Sequence, residues 1–267
     1  MMSRLRMLGF SLLSVMILLS VVLTGCSVEK KAEGDLLDQI KKRGTILIGT
    51  EGTYSPFSFH EKKGNKLTGF DVEIAEELAK RIGVKAQFVE TPWDGMLSSL
   101  QTGKIDIVAN QVGVKEERKK KFDFTNPYTI SYAEIVVHKD NQTIKGVADI
   151  KGKTAGQTST SNYGKYARDA KAEVKVYEDM MSAMWDVANK RIDVSINDRL
   201  AIAEMMKKEK LPLKVVGEPI EKVEIAFPVE KGNPKLLAEL NRALDEMRKD
   251  GTLKEISEKY FGKDITQ

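Results

Sequence analysis

Residues 105–128, IDIVANQVGVKEERKKKFDFTNPY, constrain this chain more than any other stretch. The short β-branched run at 105–109 lies between Gly103 and Asn110 and predicts a buried strand. Ligands of open α/β sheets sit beyond the carboxyl ends of such strands, and the residues that follow suit that place. The turn Asn110, Gln111, Val112, Gly113 offers backbone N–H groups. Arg118 comes one helical turn later as a planar, permanently charged fork suited to a carboxylate. The combination predicts one half of an anion-binding cleft. The same arginine belongs to a charged run, residues 116–121, with the pattern of a solvated helix face. Residue pattern alone leaves both placements open.

The amino terminus reads as a secretory leader. Arg4 and Arg6 precede a mostly apolar run at 8–23, interrupted by Gly9, Ser11, Ser14 and Ser20, which is too short and broken for a membrane span. Leu23, Thr24, Gly25, Cys26 resembles a bacterial lipobox, with cleavage before a lipid-modified cysteine. Cys26 is the only cysteine of the 267 residues, so a structural disulfide within the chain is excluded. Two acyl chains anchor durably where one does not, so a lipidated, palmitate-bearing Cys26 is expected to tether the mature chain to a membrane. Residues 27–34 are small or charged, as a flexible tether requires. The formal net charge is +4, and two of those charges are Arg4 and Arg6, leaving no nucleic-acid footprint.

Strands and helices are expected to alternate through the rest. TILIG at 45–49 predicts the first strand, followed by a loop that carries Tyr54 and Phe57 as either core or cleft aromatics. Phe70, Ile74, Leu78 and Ile82 recur at steps of four and predict an amphipathic helix ending at Gly83. Asp71, near its start, is expected only to steady that helix. Trp93, Met96, Leu97 and Leu100 stripe a second helix, with Trp93 at its opening either capping the core or facing the cleft. The extended run at 131–138 predicts a first crossover into another α/β layer, and the run at 223–229 predicts the return. Within that layer, Ser161 and Asn162 stand ahead of a helix, where Ser161 either caps it or offers donors to an anion. Asp198 directly follows a strand, as an N-cap or an acceptor for an ammonium.

From about residue 36 onward, the chain resembles the polar amino acid binding proteins of ABC transporters. The resemblance is carried by the segment from Asp106 through Arg118 to Phe124, Pro127 and Tyr128, and by DVSINDRLA around Asp198. It implies a two-lobed α/β fold of the periplasmic-binding-protein type II class, with two lobes joined by two crossover strands. The implied division is a signal peptide at 1–25, a lipidated tether at 26–35, one lobe from 36–130 and 224–267, and another from 131–223. It also implies that Arg118 grips an α-carboxylate, that Asp198 binds the α-ammonium, and that Tyr54, Phe57 and Trp93 line the ligand side chain. Asn110, Gln111 and Val112, with Trp93, Asp94, Gly95 and Met96, look most like the cystine and cysteine binding branch. Most family members carry hydroxyl residues five and three positions before the arginine; here those positions are Gly113 and Lys115. The carboxylate is therefore expected to rely on Arg118 and on backbone N–H groups.

Other chemistries fail on spacing. Gly146 leaves five intervening residues, rather than four, before Gly152, Lys153, Thr154, so the phosphate-loop pattern is broken. His60 and His138 fall in no metal-ligand or nucleophile pattern. No cofactor or metal is expected. Two functions remain: a monomeric binding protein that delivers a neutral amino acid to membrane permease subunits, and an enzyme on the same fold, since some periplasmic dehydratases resemble these proteins. With no charged residue evidently aimed at the side-chain end, a neutral ligand is expected, foremost cystine or cysteine.

Overall fold

The computed structural model describes residues 34–266, so the leader, Cys26 and most of the tether lie outside the described residues. Helix α1 (Leu36–Arg43) starts at Asp35, whose carboxylate accepts from Leu37 N at 2.9 Å. Strand β1 (Thr45–Thr50) follows, and the loop beyond it folds into a small antiparallel sheet of β2 (Thr53–Tyr54), β3 (Ser58–His60) and β4 (Leu67–Thr68). Helix α2 (Phe70–Ile82) buries the predicted stripe of Phe70, Ile74, Leu78 and Ile82 and ends at Gly83. Next come β5 (Lys85–Glu90), α3 (Trp93–Gln101), β6 (Ile107–Val108), the single-turn α4 (Glu116–Lys119) and β7 (Phe122–Phe124). Strand β6 is shorter than the run at 105–109 predicts. Its pairing nevertheless continues on either side, through Asp106 N to Leu47 O and Ala109 N to Gly49 O.

The second series is β8 (Thr129–His138), β9 (Thr154–Gln157), α5 (Asn162–Asp169), β10 (Glu173–Val176), α6 (Met180–Ala188), β11 (Val194–Asp198), α7 (Arg199–Glu209) and β12 (Leu213–Ile225). The chain then gives β13 (Pro228–Glu230), α8 (Pro234–Lys249) and α9 (Thr252–Phe261). Two five-stranded sheets result, ordered β5-β1-β6-β13-β7 and β10-β9-β11-β8-β12. Within the first, β1 runs parallel to β5 and β6, while β13 returns antiparallel.

The passages between the sheets lie side by side. Strands β8 and β12 pair antiparallel along their length, with an irregularity between Val216 and Glu221. The predicted return run at 223–229 divides at this root: its first part ends β12, its last begins β13, and Ala226 and Phe227 join them. Phe227 is buried and stacks on Tyr128 with ring centroids 4.4 Å apart, which fixes the outgoing and returning passages against each other. Helix α8 buries Leu236, Leu240, Ala243, Leu244 and Met247, and α9, unforeseen from the sequence, packs on α2 and α8.

Gly69 sets the junction between β4 and α2. Its φ is +138°, and a Cβ built there would stand 2.2 Å from the Phe57 carbonyl oxygen, backbone that cannot yield. Gly69→Ala is expected to destabilise the fold by about 2 kcal/mol or more, measured as a shift in urea midpoint without change in slope.

Candidate functional site

A cavity with about 460 Å³ of space, its open mouth included, lies between the two sheets. Tyr54, Trp93, Asn110 and Gln111 line it from the first sheet's side, and Ser161 and Asn162 from the second's. Four other expected residues stand elsewhere. Gly113, Arg118 and Asp198 lie outside this lining, while Phe57 is buried in the core against Tyr54, Phe70 and Phe261. The Phe57 ring therefore backs Tyr54 and does not face the cavity, because the turn between β2 and β3 carries its side chain inward.

The floor of the cavity is held by a fully buried carboxylate. Asp71 accepts from Gln111 N at 2.6 Å and from Gln111 Nε2 at 2.7 Å. This corrects the reading of Asp71 as a helix-steadying charge. It fixes the turn after β6, where Gln111 has a φ of +50°, uncommon for a residue other than glycine. Asn110 accepts from Glu51 N at 2.9 Å and donates to the Glu51 carboxylate. Tyr54 Oη donates to Asn197 Oδ1 at 2.8 Å, linking the two sides of the cavity.

Of residues 118–121, only Arg118 is buried; the three lysines that follow are exposed. The single turn of α4 points the arginine inward. Its guanidinium lies 5.3 Å from the centre of the Trp93 ring and donates from one terminal nitrogen to Gly113 O at 3.0 Å. Among the described residues, no carboxylate comes within ion-pair distance of it, and burial lowers its pKa. Gly113 is required by close approach: a Cβ there would stand 2.7 Å from Val223 Cγ1. The Lys115 side chain turns away to Glu221 and Tyr166.

Across the cavity, Ser161 caps α5 by accepting from Gly164 N at 2.9 Å, and Asp198 caps α7 by accepting from Leu200 N at 2.8 Å. Both capping readings hold, and both put a helix N-terminus beside the cavity. Tyr163 Oη approaches Asp198 at 3.5 Å. Burial pushes the Asp198 carboxyl up to about 6, with the bonds to α7 opposing. Two acids that the sequence did not single out share the neighbourhood: Glu51 and Asp179 line the cavity. Burial raises Glu51 to about 7 despite its bond to Asn110, and Asp71 likewise to about 7. Trp93 Nε1, Gln111 Oε1 and Asn162 Nδ2 are buried without a hydrogen-bond partner among the described residues. The site thus holds an unneutralised cation, several carboxyls made reluctant to ionise, and unpaired donors and acceptors. Among the described residues, no cluster of three or more potential ligands could hold a metal ion.

The sequence is similar to known proteins over most of its length. The L-cystine-binding protein TcyA of Bacillus subtilis is 44% identical over 242 residues, which cover 90% of each chain. An ancestral arginine-binding protein bound to arginine is 40% identical, with a TM-score of 0.77 over 82% of this chain and 99% of that one. The L-cystine solute receptor of Neisseria gonorrhoeae in the unliganded open conformation is 42% identical, with a TM-score of 0.57 over 88% of this chain and 100% of that one. The model of the bacterial extracellular solute-binding proteins, family 3, matches residues 46–263. With its two α/β lobes around one cavity, the chain belongs to that family.

Proposed function

We propose that this chain is the non-catalytic binding component of an ABC importer, capturing L-cystine or L-cysteine outside the cytoplasm and presenting it to membrane permease subunits. The observation that carries this reading is Arg118, a buried cation that, among the described residues, has no carboxylate in reach. A buried guanidinium cannot shed its proton, so an anion brought by the ligand relieves it. Asp198, on the opposing sheet, offers the reciprocal acceptor for an ammonium. A zwitterion leaving water needs both charges paired, and the site supplies both. Cystine carries a second ammonium, for which Glu51 and Asp179 on the cavity wall are acceptors. The same two acids also favour a second reading, a cationic amino acid, and the likeness to an arginine-bound protein supports it. A melting-temperature screen of all amino acids separates the two, since only the bound ligand stabilises the fold.

Arg118→Ala and Asp198→Ala are each expected to weaken ligand binding by about 30-fold or more, because truncating one member of a buried charge pair costs about 2–5 kcal/mol. Lys120→Ala, on the exposed side of the same run, should change affinity by less than about twofold. Calorimetry with cystine, cysteine and arginine decides: normal binding by the Arg118 variant removes it from the site. Mass analysis of amino acids incubated with the protein should recover them unaltered, and a converted product would favour an enzyme.

The raised carboxyls make binding pH-dependent. Each folded pKa lies above its ordinary value, so the associated stability is full in acid and is lost as pH rises from about 4 towards 7. A ligand ammonium placed among Asp198 and Glu51 favours their ionised forms and lowers their pKa. Binding near pH 6 is therefore expected to release protons, up to about one per ligand. Titration in two buffers of different ionisation enthalpy measures the number, and proton uptake would contradict the placement of the ammonium.

The division into residues 1–25, 26–35, 36–130 with 224–267, and 131–223 is part of the same proposal, as is a monomeric state. Sheet membership supports the lobes, since strands of the second sheet fall between Thr129 and Ile225. Anchoring at Cys26 is supported by the lipobox-like LTGC. Cys26→Ala is expected to move the protein from the detergent-extracted membrane fraction to the soluble one; retention on the membrane would place the anchor elsewhere.

A further inference from the structure

The two sheets also meet on both flanks of the cavity, through residues that do not line it. Asp94, in the first turn of α3, reaches the loop ahead of α5, where its carboxylate accepts from Ser159 N at 3.1 Å, Thr160 N at 2.8 Å and Thr160 Oγ1 at 2.8 Å. Helix α3 packs on β1, β6 and β13 of the first sheet, whereas this loop leaves β9 of the second. On the other flank, Lys115 Nζ lies 2.6 Å from Glu221 Oε1 and donates to Tyr166 Oη at 2.8 Å, and Tyr166 donates to the other oxygen of Glu221. Lys115 precedes α4, and Tyr166 belongs to α5.

The geometry points to Asp94 and Lys115 as positioning residues that set ligand affinity and residence time by clasping the lobes shut without touching the ligand. Every contact has an ionised partner, which makes the bonds stronger than neutral ones. The donors to Asp94 are the last backbone N–H groups before the Ser161 cap, so its charge also sits at the positive end of α5. When the lobes part, Asp94 returns to water. Because it is exposed even here, the clasp shifts the ligand-free equilibrium towards closure and does not lock it. Each clasp residue stands close in sequence to a site residue, Asp94 beside Trp93 and Lys115 three before Arg118. Closing one therefore seats the other.

The inference rests on the two-lobed binding reading, and its first test needs no ligand. Spin labels, one on an exposed residue of each lobe, report the distance distribution of the ligand-free protein, and stopped-flow mixing reports release of cystine. Asp94→Ala with Lys115→Ala is expected to shift the ligand-free distribution to longer distances and to speed cystine release about tenfold, while the ligand-free melting temperature moves by no more than about 2 °C. Thr160→Val, which removes only one hydroxyl contact from the opposite lobe, should give a smaller shift in the same direction. Raising salt should act as the variants do. An unchanged ligand-free distribution overturns the proposal, as does a loss of melting temperature without any lengthening. If wild-type protein fails to bind cystine, the ligand reading falls, and the distance measurement still decides the clasp.

Discussion

A guanidinium taken out of water is the constraint on which this structure depends. Arg118 cannot deprotonate, and it lies beneath a tryptophan ring with one bond to its own loop and, among the described residues, no acid within reach. The surrounding choices follow from keeping it there. Helix α4 is one turn long, enough to turn the arginine inward while leaving its lysine neighbours in water. Gly113 lets the loop close onto Val223, which brings the loop's carbonyl to the guanidinium. Trp93, at the start of α3, covers it with an aromatic face, a contact that gains strength when desolvated.

The carboxyls are arranged as a complement to that cation. Asp198 and Asp71 are fully buried, and burial raises both, with Glu51, towards neutral pH. Among the described residues, none is paired with Arg118. An internal ion pair would have neutralised the site and left a ligand nothing to satisfy. Asp198 stands on the opposing sheet, while Glu51 and Asp71 belong to the arginine's own side; with no pair formed between them, an arriving zwitterion is, in the proposed function, the piece that completes the electrostatics. The unpaired polar atoms of Trp93, Gln111 and Asn162 extend the same logic to hydrogen bonding.

The scaffold was legible where periodicity speaks. The four-residue steps from Phe70 to Ile82 and the helix opening at Trp93 carry local patterns that burial obeys. The site was legible only in part. Pattern could not distinguish Arg118 from Lys119 and Lys120, because the turn that inverts their exposure depends on packing against a strand that arrives a hundred residues later. Asp71 read as a helix-dipole residue because its partner, Gln111, lies forty positions on. Glu51 gave no signal for the same reason: its environment is made by Asn110 and by a sheet assembled from the far half of the chain. Phe57 was placed in the cavity by resemblance, yet the small β2-β3-β4 sheet turns it into the core.

The departures at Gly113 and Lys115 connect ligand contact with lobe motion. A hydroxyl side chain at residue 113 would collide with Val223, on the strand that returns from the second sheet. One at residue 115 would be too short to reach Glu221 and Tyr166, which the lysine's four-carbon stem spans. In these two places the chain has close packing and charge pairing across the passage between sheets instead of side-chain hydroxyls. In the binding reading proposed above, part of the binding energy is drawn from closure itself, and closure is common to every ligand that fits the cavity. On that reading, selectivity falls to groups that meet the ligand's distal end, and the proposal assigns that part to Glu51 and Asp179, which line the cavity, rather than to the loop before Arg118.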